Sequence, residues 1–422
     1  MIFILCFFFL LFCILLSCIL LFCILHCYLP AHILITYQLN AQGMHILTAD
    51  IGTGTQDLLL FDSAKEVENS LIMVMPAPTQ VTAERVRRVT KAGKALVLTG
   101  TIMGGGPSAW AVRTHLKAGL PVYATEEAAL TIHDNLEKVK AFGVRIVSEE
   151  EAKKLAGSGE ALEVIMQDFD PCAVSCALSN FEVRMPENYA VAVQDHGNAP
   201  DKSNRVYRFE LLKELIEKGG KLENFVYRPE EIPRAFTRMK AQADSLLKST
   251  TVLKTRAVFM DTGPAAVFGA LTDPAAVQPS IVVNIGNGHT LGALVNENRI
   301  TAIFEHHSSS MNPEKLQDYI IRLAGGTLGF EEVFNDGGHG AYIKEASGIE
   351  QVCSIMITGP KREMLEKLPG SEVRQEISKK LHFAAPFGSM MLSGCFGLLA
   401  GFYETYPEPS IKYKPQRAVN KI

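Results

Sequence analysis

Asp50-Ile51-Gly52-Thr53-Gly54-Thr55 closes one apolar run and precedes another, Leu58 to Phe61, so a glycine turn joins two expected strands. Backbone N–H groups of such a turn point into one concavity and can hold phosphate oxygens, and glycine lets the backbone approach closely or take a positive φ. The device recurs far down the chain as Asn284-Ile285-Gly286-Asn287-Gly288-His289-Thr290, entered by Ile281-Val282-Val283 and left by Leu291 to Val295. Either copy alone reads equally well as an ordinary hairpin turn. Together they share Ile-Gly-x-Gly and an acid or its amide two residues before the first glycine, which favours paired phosphate hairpins. A dinucleotide fold fits worse, because its glycine loop must open a helix, whereas Gln56 to Asp62 reads as strand. No G-x-x-x-x-G-K-[ST] phosphate loop occurs.

Duplicated strand–glycine turn–strand units resemble the actin, Hsp70 chaperone and sugar kinase superfamily. That resemblance implies an α/β fold of duplicated ribonuclease H-like halves with a nucleotide cleft between them, and ATP with Mg²⁺ as cofactors. It implies phosphate contacts from Gly52, Thr53, Gly54 and Thr55 in the first hairpin and from Gly286, Asn287, Gly288, His289 and Thr290 in the second. Asp50 takes the place of the acid that organises Mg²⁺ and its waters. Asn284 departs from the aspartate usual in the second motif, which weakens the expectation of tight metal binding or efficient hydrolysis. Ser354-Ile355-Met356-Ile357-Thr358-Gly359-Pro360 resembles the strand and glycine turn beside the adenosine, with Thr358 and Gly359 at the contact. More narrowly, Gln194 to Gly197, Gly288 to Thr290, Glu305 to His307 and Gly337 to Gly340 are similar to an uncharacterised prokaryotic family. That family, domain of unknown function 1786, is labelled pyruvate formate-lyase activating enzyme, and the likeness runs from about Met44 to about Tyr403.

The label implies radical chemistry on an iron–sulfur cluster, which needs thiolates spaced C-x-x-x-C-x-x-C. Cys172 and Cys176 supply the first spacing, but the third position is Ser179. A hydroxyl is a poor substitute for a soft thiolate, so the two cysteines are expected to pack against the core as small hydrophobes.

The first 27 residues hold no Asp, Glu, Lys or Arg and five of the nine cysteines, in a run long enough to span a membrane. Met44 opens the first strand directly, and T-rich upstream DNA would translate into such a leader. Residues 1–43 are therefore expected to lie outside the native protein, leaving a cytoplasmic body that is membrane-anchored only if residues 1–29 are truly translated. The remaining four cysteines are too scattered for a disulfide framework. A net charge of −4 with no basic stripe argues against nucleic acid as a partner. A nucleotide together with a small molecule or a protein is the expected company.

Residues 44–200 read as a first α/β half, with strand runs at Ala95 to Thr99, Val122 to Thr125, Val144 to Val147, Leu162 to Gln167 and Tyr189 to Gln194 alternating with helices at Ser108 to Ala118 and Glu126 to Phe142. Residues 201–250 turn polar and helical, as an insertion or lid would. Residues 251–422 are expected to form the second half, ending in a glycine-containing apolar helix from Phe387 to Phe402.

Asp195 follows an apolar strand, where open α/β sheets present ligands. In sugar kinases a carboxylate near that position accepts the proton of the attacking hydroxyl, which the resemblance carries to Asp195; a turn or helix-capping aspartate is the alternative. His196, His289, His306, His307 and His339, with Asp195, Glu305 and Asp336, could build a transition-metal site, since imidazole and carboxylate suit Fe, Mn or Zn. No H-E-x-x-H spacing supports it, and hydrogen-bonding loop histidines are the alternative. Met103 to Pro107 could present amides to a second anion or form a tight turn. The leading functional expectation is an ATP-binding phosphotransferase or ATPase, with a nucleotide-gated switch or a metal-dependent enzyme as rivals.

Overall fold

A computed structural model describes residues 43–199, 202–249, 255–366 and 377–408. The expected leader lies outside the described residues. Among the described residues, no helix is long and apolar enough to cross a membrane.

The first sheet begins as a meander of β1 (His45–Ile51), β2 (Thr55–Asp62) and β3 (Leu71–Pro76). The chain then leaves it to build a separate parallel sheet from β4 (Ala95–Gly100), β5 (Val122–Ala124), β6 (Val144–Ile146) and β7 (Ala161–Met166), in the order β6-β5-β4-β7. It returns through β8 (Asn188–Val193), and helices α1 (Asn204–Glu217) and α2 (Thr237–Ser249) flank β9 (Val226–Tyr227). β10 (Arg256–Met260) completes the order β3-β2-β1-β8-β10-β9 and leads into α3 (Thr262–Ala270).

The second sheet repeats the plan. β11 (Ser280–Ile285), β12 (His289–Asn296) and β13 (Arg299–His307) form the meander, followed by β14 (Gly340–Ile343), β15 (Ser354–Thr358) and β16 (Leu381–Phe383). The order is β14-β13-β12-β11-β15-β16. In both sheets the first strand pairs antiparallel with the second and parallel with a later strand, β1 with β8 and β11 with β15, and a further parallel strand follows, β10 and β16; β14 is an added antiparallel strand at the edge of the second sheet. This is the ribonuclease H-like pattern, present twice. Its central strands, Ala-Val-Ala-Val of β8 and Ile-Val-Val of β11, are buried and apolar throughout, as strands covered on both faces must be.

Helices α3 and α4 (Ser393–Thr405) share a core with strands of both main sheets, through Phe268, Phe396 and Phe402 against Ile46, Val258 and Val282. They touch backbone to backbone: a Cβ on Gly397 would lie 1.9 Å from the Ala265 carbonyl oxygen, and one on Gly269 1.6 Å from that of Ser393. The parallel sheet keeps its own core around Val86, Leu96, Leu98, Val112 and Val164.

Several expectations change. β10, assigned by sequence to the second half, hydrogen-bonds to β8 in the first sheet. The strand runs from Ala95 to Gln167 do not extend that sheet but form the separate one. Glu126 to Phe142 is two short helices, Glu126–Ala129 and Leu136–Ala141, because the Asn135 side chain accepts from the amides of Glu137 and Lys138 and starts the second one. The last helix begins at Ser393 rather than Phe387, since Pro386–Gly388 forms a tight turn with Phe387 at φ 50°.

Candidate functional site

Both glycine hairpins are closed by the same bond. Gly52 N donates to the Thr55 carbonyl at 3.0 Å, and Gly286 N donates to that of His289 at 2.9 Å. None of Gly52, Gly54, Gly286 and Gly288 has a positive φ, so the glycines serve close approach rather than a left-handed backbone. The two tips face one another. A Cβ on Gly54 would lie 2.1 Å from Asn287 Nδ2, and one on Gly288 would lie 3.1 Å from Thr53 Oγ1.

Between them opens a cleft of about 800 Å³ that also reaches Met103 to Pro107, Gln194 to Gly197, Arg238, Thr358 to Pro360 and Gly394. Gly52, Thr53, Thr55, Gly286, Asn287, Gly288, His289, Thr358 and Gly359 line it, whereas Gly54 and Thr290 do not. Gly54 is covered by Asn287. Strand alternation turns Thr290 away from His289 and Leu291, and its buried hydroxyl hydrogen-bonds to that of Ser308 at 2.9 Å. The Thr358 hydroxyl is likewise taken, by Ser393 at 2.8 Å, tying β15 to α4.

Asp50 stands opposite Asp57 in the β1–β2 register. Asp57 is buried and Asp50 half-buried, and Asp50 Oδ1 and Asp57 Oδ1 have no hydrogen-bond partner. Burial raises the Asp50 carboxyl well above its ordinary range, with Asp57 and Asp261 adding repulsion. Burial also pushes Asp57 up to about 7 against the Thr55 hydroxyl bond. Gly394 lets α4 seat against this pair, since a Cβ there would lie 1.9 Å from Asp50 Oδ2. Two adjacent carboxylates with orphaned oxygens suit a divalent cation. The sequence reading missed Asp57, although a hairpin closed between Gly52 and Thr55 places it directly across from Asp50. Asn284, at the position of Asp50 in the second hairpin, faces Leu291 instead.

Asp195 lines the cleft with both carboxylate oxygens engaged by backbone amides. Its Oδ1 accepts from Gly197 N and its Oδ2 from Met239 N, each at 2.9 Å, so the carboxylate clasps the start of α2 to the end of β8. Burial raises its pKa while these two amides pull it down. Behind it lies an ion triad that sequence could not assemble. Arg208 on α1 forks onto Asp261 at 2.7 and 3.0 Å and onto Glu305 at 2.5 and 3.1 Å, and all three are buried. Gln194 Nε2 donates to Glu305 at 2.9 Å. Burial pushes Glu305 up, but Arg208 with the neighbouring histidines outweighs it and holds the carboxyl well below its usual range.

The histidines divide. His196, His289 and His339 present nitrogens all within 4.8 Å of one another, and the His307 ring lies 4.9 Å from that of His289 and 5.0 Å from that of His339. His306, expected among them, is excluded by strand parity: Glu305 and His307 line the cleft, while His306 points to the other face of β13, its Nε2 3.1 Å from Asp336. Glu305 stands 3.3 Å from His339 Nδ1, near enough for an ionic contact but not aligned for a hydrogen bond. Asp50 is not part of the triplet. Burial lowers all three imidazoles, His289 to about 4 and His339 to about 3, so they are neutral at pH 7.

In the Met-Gly-Gly-Gly-Pro loop, Gly104 N donates to Asp168 and Met103 N to Thr131, each at 3.0 Å, so these amides are not free for an anion. Arg238 holds the same Asp168 at 2.7 and 2.9 Å. Cys172 and Cys176 lie exposed on the helix Pro171–Ser179 and not in the core as expected.

A family model described as "Putative pyruvate format-lyase activating enzyme (DUF1786)" matches residues 103–364, more than half of the chain. The chain belongs to this family. No curated protein matches it. Among solved structures it is similar to the ethanolamine utilization protein EutJ from Carboxydothermus hydrogenoformans, at 11% identity over 84% of this chain and 88% of that one, TM-score 0.28. It is also similar to the apo psk41 parM protein, at 10% identity over 84% and 95%, TM-score 0.30. At such scores the fold rests on the two repeated sheets, not on these likenesses.

Proposed function

We propose that the cleft binds a nucleoside triphosphate with a divalent cation and transfers its terminal phosphoryl group, as the actin and sugar kinase type of fold does. The observation that carries this reading is the convergence of two identically closed glycine hairpins, one from each sheet, on opposite sides of a single cleft. Their backbones offer the amides, Asp50 and Asp57 the cation ligands, and the Thr358–Gly359 turn with Gly394 the wall for the base. A bound cation supplies charge neutralisation on the phosphates and would relieve the repulsion between the two aspartates. With Asn284 in place of an acid, the second hairpin contributes no matching charge, which favours slow turnover.

The family's label does not fit the donor set. Cys172 and Cys176 are two thiols where a cluster needs three, and Ser179 spends its hydroxyl on the Cys176 carbonyl.

Thermal unfolding of the full chain with ATP and Mg²⁺ tests the reading. The midpoint should rise with ligand concentration, because binding the native state alone stabilises it by mass action. Asp50→Asn should abolish the Mg²⁺-dependent part of that rise. A midpoint unmoved by millimolar Mg-ATP overturns the proposal.

A further inference from the structure

Three imidazoles from three separate places meet beside the cleft, which His196 and His289 line and behind which His339 is buried. His196 follows β8 in the first sheet, His289 opens β12, and His339 precedes β14 at the edge of the second sheet. Their candidate donor atoms lie within 4.8 Å of one another, against about 3.4 Å for two nitrogens on one tetrahedral ion with bonds of about 2.1 Å. His289 Nε2 is buried without a hydrogen-bond partner, where a merely structural histidine would be expected to satisfy it. Glu305, itself fixed by Arg208 and Gln194, stands 3.3 Å from His339 Nδ1, a carboxylate beside the ring nitrogen that leaves Nε2 as the ligating atom.

The geometry points to a site for a divalent transition ion of the zinc type, held by His196, His289 and His339 with an open coordination position toward the cleft. Imidazole donors select such ions over Mg²⁺, which prefers oxygen. The site is thus distinct from the Asp50–Asp57 pair, and it does not depend on the nucleotide reading.

The test uses the full chain, stripped with chelator and titrated with Co²⁺ alone, followed by its visible absorption. One equivalent should bind with the intense band of four- or five-coordinate cobalt, and Zn²⁺ should displace it. His196→Gln, His289→Gln and His339→Gln should each weaken binding by at least about tenfold, the loss that even supporting residues of metal sites produce. His306→Gln, on the opposite face of β13, should bind like the parent, and Asp57→Asn should keep the band. Substoichiometric uptake by the parent, a spectrum of six-coordinate aqueous cobalt, or equal losses in His306→Gln would overturn the site. So would a band lost in Asp57→Asn but kept in His339→Gln. The titration of the parent decides the question even where a variant fails to fold.

Discussion

Two aspartates show how much one residue's surroundings decide. Asp57 is driven up to about 7 by burial, so its charged form is disfavoured in the folded state and ordinary in the unfolded one. An acid raised in this way adds stability below its unfolded pKa, and that stability drains away as pH rises from about 4 through about 7. Asp57→Asn should therefore melt at a higher temperature than the metal-free parent at pH 8, by at most roughly 4 kcal/mol, and match it near pH 4. Melting curves at the two pH values check this, and a variant less stable at pH 8 contradicts it. Asp195 makes the opposite case. Asparagine there would turn its amide toward Gly197 N or Met239 N, donor against donor. Asp195→Asn should thus cost about 1–3 kcal/mol in urea unfolding rather than turnover alone. Unchanged stability with lost turnover would restore Asp195 as a proton acceptor.

At the level of elements, the hairpins were legible because everything that defines them is local: an apolar run, a glycine turn and a second apolar run. Sheet membership was not. β10 reads as a strand from Arg256 to Met260, but only the long-range pairing with β8 says which sheet takes it. The break in Glu126 to Phe142 was available in Asn135, a strong helix starter, and was passed over for the longer periodic run. The parity of β13 was equally available and would have separated His306 from Glu305 and His307. His196, His289 and His339 all belong to the wider set of candidate histidines, but no spacing in sequence singles these three out from His306 and His307. The hairpins also carry the sharpest test of the cleft. A Cβ on Gly286 would lie 2.8 Å from the His289 carbonyl oxygen and one on Gly52 3.2 Å from that of Thr55, so valine at either must open the turn. Gly52→Val and Gly286→Val should each weaken ATP binding at least roughly tenfold, about 1.4 kcal/mol, with the far-ultraviolet circular dichroism unchanged. Parental affinity in both by calorimetry would reduce the hairpins to ordinary turns.

Across the whole molecule, an apolar contact and an ionic one stand out among those that join the two halves. Helices α3 and α4 meet at Gly269 and Gly397 without intervening side chains. Arg208 adds the ionic tie, from α1 to Asp261 at the end of β10 in the first sheet and to Glu305 on β13 in the second. Its cost is desolvation of three charges, repaid only while all three remain together. Arg208→Met would strand two buried carboxylates, Asp261 and Glu305, so it should destabilise the protein by about 3–5 kcal/mol, read as a lowered denaturant midpoint. Arg208→Lys keeps the charge but cannot fork onto both partners, and its loss should fall between the parent and Arg208→Met. The ordering of the three separates charge from geometry. If Arg208→Met unfolds at the parental midpoint, the triad is not what holds the cleft's inner wall.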